Sequence, residues 1–373
     1  MKKNEILVIY GSDIAEMAFK LADEAGLADM IDGRGKTVGL KPNLVVSRPA
    51  STGATTHPEI AAGLIKYLKL HNFNNIVILE GSWTGDSTTA AFAQCGYNRL
   101  AADYGARLVD TQKDSCKKIN CKGVEIEICN SALEIDFMIN LPVLKGHCQT
   151  LLTCALKNNK GLIPDREKRR FHSMGLHKPI AHLNTVIRND FILADGICGD
   201  PDFEEGGNPV YAGRLFAACD PVLCDAWAAG QLGYHIDEIE YIGLAEKLRI
   251  GSADLKKAVV RELSGPEESS AAGLQKTASG KVRRLTPYIK DEDACSSCYA
   301  AVVSALLRMD QRGLDRILKP AFGGPVSVGQ GFRGKKGGVG AGICTAGFAA
   351  SCPGCPPSGA DVLAFLNSRL NSP

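Results

Sequence analysis

Short aliphatic and β-branched runs recur along roughly the first 250 residues, and between them apolar positions return every three or four residues. The runs predict strands at Ile6–Tyr10, Thr37–Leu40, Asn75–Leu79, Arg107–Asp110, Val124–Ile128, Asp136–Asn140, Asp190–Ala194 and Arg214–Ala218. The longer-period stretches predict helices at Asp13–Ala25, His57–Leu70, Ser87–Gln94, Ile180–Arg188, Pro221–Leu232 and Asp237–Lys247, and another running from Thr150 to a polar end at Lys157–Gly161. Thr56 and Glu59 have capping-box spacing at the start of the second helix. Strands that alternate with helices favour an α/β fold, a mostly parallel sheet flanked by helices.

After residue 254 the pattern changes. Polar, Ser/Ala/Gly-rich sequence reads as a linker over 255–284, and a small cysteine-rich domain follows over 285–373. The α/β part, 1–254, is long enough for one or two subdomains. The chain of 373 residues has 45% hydrophobic and 23% charged residues and a net charge of +2, an ordinary globular balance that offers no attraction to nucleic acid or an acidic membrane. No apolar run suits a signal peptide or a membrane span, so a cytoplasmic location is expected.

Polar residues gather where strands should end, and open α/β sheets bind ligands there. Lys41 and Asn43 follow the second predicted strand, and His57 opens the next helix. Lys145 and His147 follow the strand near 136–143, Asp195 follows another, and Lys157, Asn158 and Lys160 close the helix from Thr150. Lysines with histidines in one cleft suit a small anion, a carboxylate or a phosphate. In such a cleft Lys41, Asn43, Lys157, Asn158 and Lys160 would bind substrate with Lys145. His57 or His147 would move a proton, and Asp195 would orient a lysine or a metal. The charge run Asp165–Arg170 reads either as a solvated loop or as a flap over the anion. Nucleotide-binding and hydrolase signatures of the Walker, GxGxxG, GxSxG and HExxH types are absent from the sequence.

Five of the fourteen cysteines fall in the last eighty residues, as Cys295-x-x-Cys298, Cys344 and Cys352-x-x-Cys355. Beside them, nine of the twenty residues from Gly323 to Gly342 are glycine. Paired thiolates from two distant places suit a metal, and glycine lets backbone N–H groups approach cluster sulfurs. Zinc ribbons set their knuckles about 15–20 residues apart. Here 53 residues separate Cys298 from Cys352, and a proline follows Cys355 as it follows ferredoxin ligands. One [4Fe-4S] cluster is the expected cofactor, with structural zinc as the remote alternative.

Lys41-Pro-Asn43, Thr56-His-Pro-Glu59, Leu141–His147, Leu156-Lys-Asn-Asn-Lys160-Gly161 and Asp195-Gly196, with the terminal cysteines, together resemble the domain-of-unknown-function 362 family. That family includes iron–sulfur-binding proteins, so the resemblance implies an α/β domain with an iron–sulfur portion and names no reaction. The two-cluster ferredoxin segment of some relatives is missing here. The Pro353-Gly-Cys355-Pro-Pro357 ending also resembles the cluster-binding end of nickel–iron hydrogenase small subunits. That resemblance implies Cys355 as a ligand with Cys295, Cys298 and Cys344, and Cys352 as the alternative. Two functions stay open: an iron–sulfur oxidoreductase or lyase acting on a small anion, and a non-catalytic electron carrier or cluster sensor serving a redox partner protein.

Overall fold

In the computed structural model, residues 1–264 and 284–371 are described. The chain forms two compact units, Met1–Lys168 with His177–Lys276, and Arg169–Leu176 with Thr277–Pro373.

The first unit is built on β1 (Glu5–Tyr10), β2 (Val38–Pro42), β3 (Ile76–Glu80) and β4 (Arg107–Asp110). A side hairpin of β5 (Cys116–Cys121) and β6 (Val124–Cys129) comes next, followed by β7 (Phe137–Leu141). Then come a short antiparallel ribbon, β8 (Lys145–His147) with β9 (Leu151–Thr153), and β10 (Phe191–Gly199), β11 (Val210–Ala218) and β12 (Val259–Glu262). Eight of these form the central sheet in the order β12-β1-β11-β10-β7-β2-β3-β4. Its pairings are parallel except where β11 meets β1 and β10.

Apolar side chains of β1, β2, β3 and β7 bury one sheet face against helices Ile14–Glu24 and Pro58–Leu70. Helix Pro221–Gln231 covers the other face, with Trp227 against Phe216 of β11 at 4.8 Å between ring centroids. Strands β10, β7, β2 and β3 run side by side in one direction, so their carboxyl ends share an edge.

Several local expectations are corrected. Thr56 does not cap the helix after it, because its hydroxyl accepts from Asn43 N and donates to Leu141 O. The segment after Thr150 is a strand, then the four-residue helix Ala155–Asn158. The charge run is neither loop nor flap but a helix, Asp165–Ser173, with Lys168 bound to Gly81 O, Ser82 O and Asp165 Oδ1. Val259–Glu262, expected in the linker, pairs as an edge strand with β1. The rest of that stretch, 265–283, lies outside the described residues.

In the second unit, β13 (Ile289–Asp291), β14 (Val326–Val328), β15 (Val339–Ala341) and β16 (Ala350–Cys352) form an all-parallel sheet of three-residue strands. Helices Ser296–Leu307 and Gly359–Asn371 pack together beside it.

Candidate functional site

At the shared edge of β2, β3 and β7, the chain builds a continuous polar network. Lys41 Nζ meets Glu80 Oε2 at 2.7 Å, Pro42 O at 2.7 Å and Asn158 Oδ1 at 3.4 Å. Asn158 Oδ1 also accepts from Asn43 Nδ2 at 2.8 Å, and Asn43 Oδ1 accepts from Lys145 Nζ at 2.8 Å. Lys145 completes its set on Glu204 O at 2.7 Å and on Ala54 O. Further amides (Asn140, Asn159, Asn184 and Asn189) tie the Ala155–Leu162 segment to β7 and its surroundings. Close approach matters here: a Cβ on Gly161 would fall 2.0 Å from Glu80 Oε1.

From the sequence, Lys41, Asn43, Lys145 and Asn158 were expected to bind an anion, and the geometry sorts them. An ammonium has three donors, and Lys41 and Lys145 have each engaged three acceptors while fully buried. Asn43 and Asn158 are likewise engaged within the chain. These four residues are the frame of the site, not free hands for an anion. Burial lowers the pKa of both lysines, with Glu80 partly offsetting the effect at Lys41. Lys145, which also feels Lys157, falls to about 7.

Lys157 differs. Among the described residues its one hydrogen bond is to Thr153 Oγ1, at 3.3 Å, which leaves two donors unspent there. Burial brings its pKa down to about 8, against the attraction of Glu204 and Cys148. Asp225 positions this lysine, accepting Ala155 N at 2.7 Å and Leu156 N at 3.2 Å at the start of its short helix. Burial outweighs those bonds and raises Asp225 to about 7. Lys160 is half-buried and close enough to lower the pKa of His147.

His147, Cys148 and Glu204 hold donor atoms within 4.8 Å of one another, as do Cys154, Cys224 and Asp225. Neither trio suits a cation. His147 Nδ1 accepts the backbone N–H groups of Gln149 and Thr150 at 3.1 and 3.0 Å, which puts the neutral ring's proton on Nε2. A metal at Nε2 would require an imidazolate, whereas metal-bound histidines normally donate their second N–H. In the second trio both Asp225 oxygens are already committed. Burial holds His147 neutral, with a pKa of about 4. Its Nε2 lies 3.1 Å from Glu204 Oε1, off the N–H axis, so that oxygen has no aligned donor. Burial works against ionising Glu204, but His147 and Lys157 prevail and hold its pKa well below the usual range. Glu205 goes the other way: burial and the Glu204 charge raise it to about 8.

His57 and Asp195 form a separate pair. Asp195 Oδ2 accepts from His57 Nδ1 at 2.8 Å and from its backbone N at 2.9 Å, while Oδ1 takes Ile197 N. Burial disfavours the imidazolium, but Asp195 more than offsets it and raises the His57 pKa. Asp195 thus orients a histidine, where the sequence had it orienting a lysine or a metal.

In the second unit, Cys295 stands at the N-cap position of helix Ser296–Leu307 without a side-chain capping bond, and Cys298 lies in its first turn. Cys344 sits on the turn Ile343–Thr345. Arg333 Nε meets Cys344 Sγ at 3.3 Å, and Cys355 and Cys295 are near enough to strengthen its positive charge. Gly342, at φ +92°, turns the chain beside Cys298; a Cβ there would lie 3.7 Å from Cys298 Sγ. Cys352 behaves differently. It is buried, bonded to Pro353 O, and its pKa is raised by burial and by Asp361.

Cys148, Glu204 and Glu205 were missed by the sequence reading. The acidic stretch Asp200–Glu205 just after β10 was the signal available for two of them.

A curated relative, a thylakoid-associated protein of Synechocystis sp., is 23% identical over 269 residues, covering 69% of this chain and 81% of its own. Two solved structures are similar at low level. The lactate racemase apoprotein from Thermoanaerobacterium thermosaccharolyticum has a TM-score of 0.37 at 16% identity, covering 57% of this chain and 54% of its own. A Thermotoga maritima protein has a TM-score of 0.38 at 14% identity, covering 64% and 60%. The chain thus spans little more than half the length of either solved protein. Among the described residues no helix is long and apolar enough to cross a membrane. A family model described as a domain of unknown function matches residues 38–230, just over half of the chain, which belongs to that family, DUF362.

Proposed function

We propose that the protein is an iron–sulfur enzyme whose α/β unit binds a small carboxylate or phosphate compound at the Lys157 end of the polar network. The observation that carries this reading is the difference between Lys157 and the other two buried lysines of the polar network. Lys41 and Lys145 have spent their donors internally, whereas Lys157 keeps two, held in place by Asp225 below it. A buried cation with unspent donors is costly unless something fills them. His57, oriented through Nδ1 by Asp195, is the group best suited to hold or move a proton, because its Nε2 has no hydrogen-bond partner among the described residues.

Cys295, Cys298, Cys344 and Cys355 would hold one [4Fe-4S] cluster. Arg333 beside the thiols and the glycine turn at Gly342 support that ligand set, and the burial of Cys352 towards Asp361 argues against its use. When bound, such a cluster supplies one-electron transfer. A second reading, an electron carrier that docks a redox partner, is favoured by the exposure of Cys355 and of Ile343 next to Cys344.

The test is anaerobic purification with iron and sulfide analysis, joined to calorimetry with phosphate and acetate on the wild type and Lys157→Met. About four irons and four sulfides per chain are expected, with anion affinity lost in the variant. Stoichiometric zinc without sulfide would overturn the cluster, and unchanged anion affinity would overturn the site.

A further inference from the structure

We propose that Lys157 is a nucleophile that condenses with the carbonyl of a small oxo acid to form an imine. This rests on the reading of the Lys157 end of the network as a small-anion site and narrows its substrate class. The geometry supplies an amine with two idle N–H groups and, across from it, a carboxylate oxygen, Glu204 Oε1, without an aligned donor. Lys157 and Glu204 attract each other without forming an ion pair. A group set between them could take a bond from one and give a proton to the other. An iminium N–H, or the hydroxyl of the carbinolamine before it, is such a group.

In balance, the Lys157 nitrogen lone pair attacks the carbonyl carbon, a C–N bond forms, and the C–O bond breaks with loss of one water. The leaving hydroxyl takes a proton from Glu205, next to Glu204 in the chain and kept protonated at neutral pH by burial and the Glu204 charge. No oxidant or reductant is required. The surroundings favour the neutral amine. At a pKa of about 8, roughly a tenth of Lys157 is unprotonated at neutral pH, against less than about a thousandth for an ordinary lysine. Lys160, whose charge reaches His147, would attract the carboxylate of the oxo acid.

The probe is pyruvate, with cyanoborohydride to reduce any imine, applied to the full anaerobically purified chain. Peptide mass spectrometry should place one reduced pyruvate on Lys157, with at least tenfold less on any other lysine. The yield should peak near pH 8, where unprotonated Lys157 and protonated Glu205 coexist, and the adduct should be lost in a Lys157→Arg variant that keeps the wild-type circular dichroism. Glu205→Gln should slow trapping without moving its position. Pyruvate that binds by calorimetry but leaves no adduct on Lys157 would overturn the imine and leave the anion site standing. If neither pyruvate nor phosphate nor acetate binds, the imine and the anion site both fall.

Discussion

The two polar centres of this chain are built on opposite principles. At the sheet edge, buried charges are neutralised from within. Lys41, Lys145 and Asn158 find their partners in Glu80, backbone carbonyls and other amides. In the cysteine unit four thiols lie near Arg333 or Gly342, and glycine and three-residue strands hold the backbone around them. A network that largely satisfies itself resists change and marks by contrast the lysine it leaves with unspent donors, Lys157. Under the proposed function, the thiols would be completed from outside, by a cluster.

The sharpest test of this contrast is the cysteine series. Replacing Cys295, Cys298, Cys344 or Cys355 with Ser should lower iron and sulfide content at least tenfold in anaerobic protein, whereas Cys352→Ser should keep most of it. Equal loss in all five would erase the distinction drawn from the burial of Cys352.

Next in size are the internal ion pairs. Glu80→Ala leaves the Lys41 ammonium buried beside neutral acceptors, and urea denaturation should show a loss of about 3–5 kcal/mol. Lys145→Met strands three acceptors, two of them backbone carbonyls, and should cost about 2–3 kcal/mol. A smaller cost in either variant would mean that the network is wetter than its geometry implies.

Asp225 gives a pH test. Its folded pKa, about 7, lies above the ordinary 3.8. The folded state therefore binds more protons than the unfolded state between these values, and stability falls as pH rises through the window. Relative to Asp225→Asn, the wild type should lose up to about 1 kcal/mol per pH unit from pH 4 to 7, read from urea midpoints at each pH. A flat difference would show that Asp225 is ionised throughout. The smallest effect belongs to Lys157→Met. Stability should move by less than about 1 kcal/mol because only one long hydrogen bond is lost, while anion binding disappears.

Much of the frame was legible in the sequence. Ile76–Leu79 or Phe191–Ala194 can scarcely be anything but buried strand, and every predicted strand overlaps an observed one. The failures were local and long-range at once. Thr56 has the right spacing for a cap, but its hydroxyl goes to Asn43 and Leu141, 13 and 85 positions away. Lys41 and Lys145 look like anion-binding lysines by residue type. Their saturation depends on Pro42 O, Ala54 O and Glu204 O, and no residue identity encodes a carbonyl's direction. Lys157 could not be told from its neighbours for the same reason: what distinguishes it is a shortage of partners, which is visible only once the chain has folded.

The tie between Asp225 and the start of the Ala155–Asn158 helix has a consequence in time. Both amide hydrogens at Ala155 and Leu156 are held by a carboxylate with no exposure to water. In deuterium oxide they should exchange only when the whole α/β unit opens, orders of magnitude more slowly than amides of the exposed strand Val259–Glu262. The turn that carries Lys157 would then have no private route to unfolding, and its lifetime would be that of the unit itself.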